Sequence, residues 1–525
     1  MVDPDGNMMP QSFEPVAAEL ANCQDDEAVV AVLRDRVFGQ ANLSAQQHLT
    51  VLIGYDTRPS APHLLAAATA GVLALKLHAV SCGCITTPQL HFLVHNANHG
   101  SSSSSDSDGS TAPSLPSAPA SPQLQTYFDT ILGAFVQLAG TTASASSPTS
   151  SSAPTSGAAA AGGAAATRLF VDCANGVGAG QLQRLVPALQ AVGIELQLRN
   201  SGEAAGGGQL NHKCGADFVQ KERLPPAGFE DVPAGAQCCS IDGDADRLVY
   251  FSPQPASGAP AAAAATTTEG VGASSSSCGA GIMLLDGDKI ALLAAVFIRD
   301  LMAQLPQQLL EGVKVCCVQT AYANGASTAF LREVLQLPAV CTPTGVKYLH
   351  EAAHEADLGV YFESNGHGTV LFSQQLRRRL EAAAELPAAR ELLALSRLIN
   401  QTVGDAISGL LLVELILRRK GWTLADWQAL YTDLPSRQLK LKVADRSSIT
   451  TADAERVCVT PAGLQQAIDR AVSGFPKGRA FARPSGTEDA VRVYAEAATQ
   501  QQADELARAV AQEVYDRAGG VGPRP

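Results

Sequence analysis

The chain has 525 residues, with 37 Lys and Arg against 50 Asp and Glu, a net charge of −13. That length allows roughly three and a half average domains. The acidic balance excludes a nucleic-acid binder held by general electrostatics, but it leaves room for a local cationic site that takes a small anion. Taken in chain order, an apolar run, a polar Gly- or Asn-bearing turn and a helical stretch recur three times. The first set is Leu49–Ile53, Gly54–Ser60 and a helix to about Leu77. The second is Leu169–Val171, Asp172–Gly178 and a helix through Leu189. The third is Val313–Val318, Gln319–Gly325 and Ser327–Leu335. Strand–loop–helix units in series predict α/β layers with parallel or mixed sheets, whose ligands sit at loops leaving strand ends. The last hundred residues differ: Thr460-Pro461 opens a helix to Val472, a strand covers Ala490–Ala495, and a helix starts at Gln501. This predicts a smaller α+β domain.

Charged residues are 17% of the chain, below the usual quarter. The cause is three tracts of nearly pure Ser, Ala, Gly, Pro and Thr: Gly100–Ser121, Thr141–Thr167 and Ser252–Ala280. They bury too little apolar surface to offset ordering entropy and read as disordered. The third lies between Leu248–Phe251 and Ile282–Leu285, which reads as a hairpin with an inflated turn, a cheap insertion because closure entropy grows only logarithmically. Apolar runs such as Leu410–Leu417 fall short of the ~20 residues of a membrane span. The first residues lack the basic start and apolar core of a signal peptide. The 12 cysteines include no Cys-x-x-Cys. Cys82-Gly-Cys84, Cys238-Cys239 and Cys316-Cys317 read as small core residues on strands, so a reducing, cytoplasmic setting is expected.

Three loops carry chemistry. Asp242-Gly-Asp-Ala-Asp-Arg247 follows apolar Ile241 and crowds three carboxylates, Asp242, Asp244 and Asp246, into a tight turn. A hard divalent cation relieves their repulsion. An EF-hand would need Gly and Glu where Arg247 and Pro253 stand, so that alternative fails. Arg483-Pro-Ser-Gly-Thr-Glu-Asp489 leads into Ala490–Ala495. Ser485 and Thr487 supply hydroxyls, Gly486 a close backbone, and Arg483 and Arg492 bidentate donors, a set suited to phosphate. Alternation puts Val491, Val493 and Ala495 on one strand face and Arg492 with Tyr494 on the other. Tyr361–Thr369 offers Glu363, Ser364, Asn365 and His367, suited to sugar hydroxyls, although a polar Gly-rich hairpin fits it equally. Thr344–Lys347 offers a nearby cation. No Gly-x-Ser-x-Gly, Gly-x-Gly-x-x-Gly, Walker A or His-Glu-x-x-His pattern occurs.

Together these loops resemble the α-D-phosphohexomutase superfamily. The resemblance narrows to its phosphoacetylglucosamine mutase family through Thr86–His91, Leu210–Phe218, Gln319–Gly325, Leu398–Ile407 and Leu430–Pro435. It implies three similar mixed-sheet α/β domains, a smaller C-terminal α+β domain and a central cleft. The expected domains are 1–140 (incomplete, insert 100–121), a linker 141–167, 168–285 with the metal loop (insert 252–280), 286–400 with the sugar loop, and 401–525 with the phosphate loop. It implies interconversion of N-acetylglucosamine 6-phosphate and 1-phosphate toward UDP-N-acetylglucosamine, through a Mg2+-bound phosphoserine and a bisphosphorylated sugar that also serves as activator. Asp242, Asp244 and Asp246 would hold one Mg2+ per chain. Glu363, Ser364 and Asn365 would grip sugar hydroxyls. Arg483, Pro484, Ser485, Gly486, Thr487 and Arg492 would hold the non-reacting phosphate, with Arg247 as an electrostatic aid. The implied partner is a small sugar phosphate, not nucleic acid or membrane, bound by a monomer or weak homo-oligomer. One departure stands out: the family's reacting serine lies in Thr-Ala-Ser-His-Asn-Pro, before a stretch like Val2–Gly6 and followed by Asn-Gly-x-Lys. No Ser-His-Asn-Pro occurs in these 525 residues. The expectation is a mutase whose front was lost to a wrong start site, inactive as it stands. The alternative is a real short chain that binds sugar phosphate without turning it over.

Overall fold

The structure, a computed structural model, describes residues 32, 50–75, 77–99, 121–140, 167–202, 208–255, 281–486 and 488–525. Apart from a few end residues, the three low-complexity tracts lie outside these, as does Thr487. The chain divides into two compact units, Met1–Asp129 and Thr130–Pro525.

In the first unit, β1 (Thr50–Tyr55) pairs in parallel with β2 (His78–Cys84), with helix Ala61–Ala74 as the crossover that parallel pairing requires. The next helix, Thr87–His99, starts in a capping box. Thr86 Oγ1 accepts from Gln89 N–H and Gln89 Oε1 from Thr86 N–H, both at 3.1 Å. That reciprocal pair is what the Thr86–His91 motif encodes. Helix Ser121–Gly140 follows, and Tyr127 meets Phe92 edge-on at 5.3 Å.

The second unit holds two mixed sheets and an antiparallel one. Strands β3 (Thr167–Asp172), β4 (Ile194–Arg199), β5 (Gln237–Ile241), β6 (Leu248–Pro253) and β7 (Ile282–Leu285) form a sheet of order β4-β3-β5-β6-β7. β6 and β7 pair antiparallel, Pro253 opposite Ile282, so the expected hairpin forms. Strands β8 (Val315–Thr320), β9 (Ala339–Thr342), β10 (Leu358–Phe362) and β11 (Gly368–Phe372) follow in the order β11-β10-β8-β9. β12 (Ser436–Lys442), β15 (Arg479–Pro484) and β16 (Ala490–Glu496) form the antiparallel sheet β12-β16-β15, and β13 (Thr450–Ala452) and β14 (Val457–Thr460) a hairpin. Beneath the last sheet, Val491, Val493 and Ala495 pack with Leu464 and Ile468 of helix Leu464–Ser473 and with Leu506 and Val510 of helix Gln500–Arg517. This is the fold of three α/β segments and a smaller α+β end that the sequence predicts.

Helices Gly287–Met302 and Ala406–Lys420 are buried along nearly their whole length and pack on each other and on β6. A helix apolar on every side belongs in the interior, and this pair fills the space between the two mixed sheets.

Local departures have physical causes. The helix expected through Leu189 splits into Gly178–Gln183 and Val186–Ala191. Pro187 supplies no N–H and its ring clashes with the carbonyl four residues back, so a new helix must start there. The expected Ser327–Leu335 helix is a short α-turn, Gly325–Ala329, running into a π-turn, Phe330–Val334. Cys82, Cys238, Cys239, Cys316 and Cys317 are buried, as core residues should be, but Cys84 at the end of β2 is exposed.

Candidate active site

The Asp242–Arg247 loop links β5 to β6. Asp242 Oδ1 accepts the N–H groups of Asp246 (3.0 Å) and Arg247 (3.1 Å), which folds the loop back on itself. Ala245 takes a left-handed φ of +57°, and its carbonyl accepts Ala406 N–H at 3.0 Å, docking the loop on the start of helix Ala406–Lys420. The three carboxylates bring ligand oxygens within 4.8 Å of one another. Burial, then Asp246 and Asp244, push the Asp242 carboxyl well above its ordinary range. Burial also acts on Asp246, but the His367 ring, Nδ1 at 3.1 Å, together with the Asp242 hydrogen bond and the Arg247 charge, holds its carboxyl low. Asp246 Oδ1 is buried without a hydrogen-bond partner. Crowded oxygen donors, one of them an orphan, fit a hard divalent cation. Burial lowers the Arg247 guanidinium, but Asp217 at 3.0 Å, with Asp242 and Asp246, raises it overall.

The Glu363–His367 turn joins β10 to β11 and is zipped to this loop. Leu248 N–H donates to Gly366 O at 3.3 Å, and Arg247 and His367 form an antiparallel bridge. Gly366 has φ +88°, and a Cβ there would sit 1.9 Å from Leu248 O. At Gly287 a Cβ would fall 1.8 Å from Glu363 O, so the turn also lies hard against the start of helix Gly287–Met302. Burial raises the Glu363 carboxyl, and His367 and Arg247 work against it.

The third loop joins β15 to β16. Arg483 and Arg492 stand directly opposite in the antiparallel register, so both emerge on one face. Ser485 is buried and its N–H donates to Ala490 O at 2.8 Å. Among the described residues, a Cβ at Gly486 would meet no atom within 4 Å beyond its chain neighbours. The glycine therefore opens space rather than relieving strain.

A cavity of about 1270 Å3 brings the second and third loops together. Glu363, Ser364 and Asn365 line it beside Arg483, Ser485, Gly486 and Arg492. Asp242, Asp244, Asp246, Arg247 and Pro484 do not line it; Asp246 meets the Glu363–His367 turn through His367 Nδ1 at 3.1 Å. Lys347 lies over the Tyr348 ring at 4.7 Å, while its neighbour Thr344 lines the cavity.

The sequence reading assigned no role to the contacts that hold this cavity. Arg479 clamps Glu496 at 2.8 and 3.1 Å and donates to the carbonyls of Ala321 (2.9 Å) and Ala323 (2.7 Å), while Gly325 N–H reaches the same carboxylate at 3.1 Å. Asn324 bonds Leu434 in both directions at 2.9 and 3.0 Å. The Gln319–Gly325 and Leu430–Pro435 stretches thus seat the C-terminal sheet on β8. Tyr322 lines the cavity with its ring against Phe481 and Tyr494.

This fold and its three convergent loops define a phosphohexomutase. Family models agree: Phosphoacetylglucosamine mutase AMG1, domain II matches residues 162–249 and domain III matches 286–422. Phosphoglucomutase/phosphomannomutase domain I matches 26–103 and the C-terminal domain 439–513. The phosphoacetylglucosamine mutase of Sus scrofa is 42% identical over 100% of this chain and 86% of its own length. The structure of Aspergillus fumigatus N-acetylphosphoglucosamine mutase in complex with GlcNAc-6P and magnesium superposes with a TM-score of 0.80 at 37% identity, covering 98% of this chain and 85% of that one. The same fungal mutase with glucose 1,6-bisphosphate gives 0.77 at 38%, covering 99% and 85%. The chain belongs to the phosphoacetylglucosamine mutase family, whose members are isomerases.

Proposed function

We propose that the cavity binds N-acetylglucosamine phosphates, and that the chain serves the interconversion of the 6-phosphate and 1-phosphate that leads toward UDP-N-acetylglucosamine in the cytoplasm. The observation that carries this reading is the single cavity with hydroxyl-recognising groups on one wall and two arginines on another. Glu363, Ser364 and Asn365 take the sugar hydroxyls; a partly desolvated carboxylate is a strong acceptor and discriminates against a ligand lacking the hydroxyl. Arg483 and Arg492 hold the phosphate that is not reacting, helped by the Ser485 hydroxyl, the backbone at Pro484 and Gly486, and, on the sequence, Thr487. Because the fixed end reads phosphate and the sugar loop reads hydroxyls, a bisphosphorylated sugar can lie in either direction, consistent with its use as an activator. Asp242, Asp244 and Asp246 would hold one Mg2+, which supplies charge neutralisation for phosphoryl transfer. Arg247, anchored by Asp217, adds positive potential behind the sugar loop. In domain terms, 168–285 carries the metal loop, 286–400 the sugar loop and 401–525 the phosphate loop, after domain 1–140 and a linker at 141–167.

A polypeptide of these 525 residues contains no Ser-His-Asn-Pro. We therefore expect a polypeptide of these residues to bind without turning over. A coupled assay with N-acetylglucosamine 6-phosphate, Mg2+ and glucose 1,6-bisphosphate, run beside calorimetry, tests both points. Binding without turnover is expected. Robust turnover overturns the inactivity, and absence of binding overturns the function.

A further inference from the structure

Glu455 belongs to none of the three loops, yet it touches the phosphate loop. It sits in the turn of the β13–β14 hairpin, where Asp453, Ala454 and Glu455 all adopt left-handed φ values of +51°, +54° and +66°. Consecutive left-handed non-glycine residues are rare and persist only where the surroundings hold them. Here Arg456 holds the turn: its Nη2 pairs with Asp453 Oδ1 at 2.6 Å and its Nε donates to Asp453 O at 3.0 Å. The strained turn delivers one carboxylate oxygen to two partners that are distant in sequence. Glu455 Oε2 accepts Thr344 N–H at 2.9 Å, Thr344 Oγ1–H at 2.6 Å and Arg483 Nη1–H at 3.1 Å. Thr344 and Arg483 both line the cavity, from opposite sides of the junction between β9 and β15.

The Arg483 side chain is only 12% exposed. Apart from Glu455, it has a long bond from Nε to Pro484 O (3.4 Å) and the Tyr322 ring 5.8 Å from its guanidinium carbon. Its aim therefore rests on Glu455. We propose that Glu455 is a positioning residue for phosphate recognition: it fixes Arg483 in its ligand-binding pose and locks the phosphate loop to the Thr344 loop, so that the two cavity walls are set before ligand arrives. Holding a long cationic side chain in place removes its ordering cost from the binding step.

The inference rests on the phosphate-loop reading above, and the test separates the two. The full chain and its Glu455→Ala, Arg483→Ala and double variants are titrated calorimetrically with N-acetylglucosamine 6-phosphate, and Glu455→Asp serves as the conservative control. Positioning predicts that Glu455→Ala weakens binding about tenfold, the scale of one charge-assisted hydrogen bond. It also predicts that the double variant is no weaker than Arg483→Ala alone, and that Glu455→Asp restores part of the loss. Unchanged affinity in Glu455→Ala, with Arg483→Ala weakened, overturns the positioning role and leaves the phosphate loop standing. Additive losses overturn it too, since they place Glu455 outside Arg483's action. Unchanged affinity in Arg483→Ala overturns the phosphate-loop reading and this inference with it. The unphosphorylated sugar is the folding control: loss of its binding in Glu455→Ala equal to that of the phosphorylated ligand marks a general structural defect and overturns the proposal.

Discussion

Gly366 is constrained twice, by its φ of +88° and by the Leu248 carbonyl that a Cβ would strike at 1.9 Å. Gly366→Ala must strain the turn and push the Glu363–His367 segment away from the carboxylate loop at once. A stability loss of about 3 kcal/mol or more is expected, read as a lower denaturant midpoint at unchanged slope. A loss below about 1 kcal/mol would contradict the close approach. At this scale the sequence was informative where chemistry is local. Alternating carboxylates in a Gly-bearing turn have few uses, so Asp242, Asp244 and Asp246 stand out. Two arginines, a buried serine and a glycine within ten positions do the same. His367 was visible as a polar group of the sugar loop, but not as the partner of Asp246, because that contact depends on how β6 meets the β10–β11 turn. Glu455 gave no signal, since its surroundings exist only once β13 and β14 pair beside Thr344.

At the scale of elements, Glu414 is the sharpest case. It lies on the buried helix Ala406–Lys420, and its Oε1 accepts Gln237 Nε2–H from β5 at 2.8 Å and Tyr250 O–H from β6 at 2.9 Å. Burial raises its carboxyl to about 7, against opposition from the Tyr250 and Gln237 bonds. A carboxyl raised in the folded state binds its proton more tightly there than when unfolded. Its contribution to stability is therefore present below the unfolded value and fades as pH climbs toward 7. Glu414→Gln, which stays neutral and keeps the acceptor, should remove this fall and be more stable than the parent at pH 8 by on the order of 2 kcal/mol. Identical pH profiles of denaturant midpoint in parent and variant would sink the assignment. The sequence showed Leu410–Leu417 only as an apolar run, with no sign of the helix or of what its one carboxylate meets. Where the sequence reading named an element, its bounds agree to within about a turn. The exceptions were the break before Pro187, which the proline itself signals, and the π-turn at Phe330–Val334, which has no comparable marker.

At the scale of the molecule, the site depends on junctions more than on loops. Arg479 with Glu496 seats the C-terminal sheet on the Ala321–Gly325 segment, and Asn324 grips Leu434. The stretches that carried the family resemblance, Gln319–Gly325, Leu398–Ile407 and Leu430–Pro435, prove to be such fastenings. Asn400 O accepts Thr369 Oγ1–H at 2.7 Å, and Gly404 leaves room for the His367 ring, where a Cβ would fall 2.9 Å away. Each satisfies buried polar groups on two elements at once. The α/β class could be read from the repeated strand–loop–helix pattern, whereas these long-range pairings could not, because nothing local encodes them. The central claim is that the cavity reads one phosphate through Arg483 and Arg492 and the sugar through the Glu363–Asn365 turn. Calorimetric titration of the parent and Arg492→Ala with N-acetylglucosamine 6-phosphate tests it most directly. The account predicts affinity weakened about tenfold or more in the variant with unchanged thermal stability; equal affinity in the two proteins would contradict it.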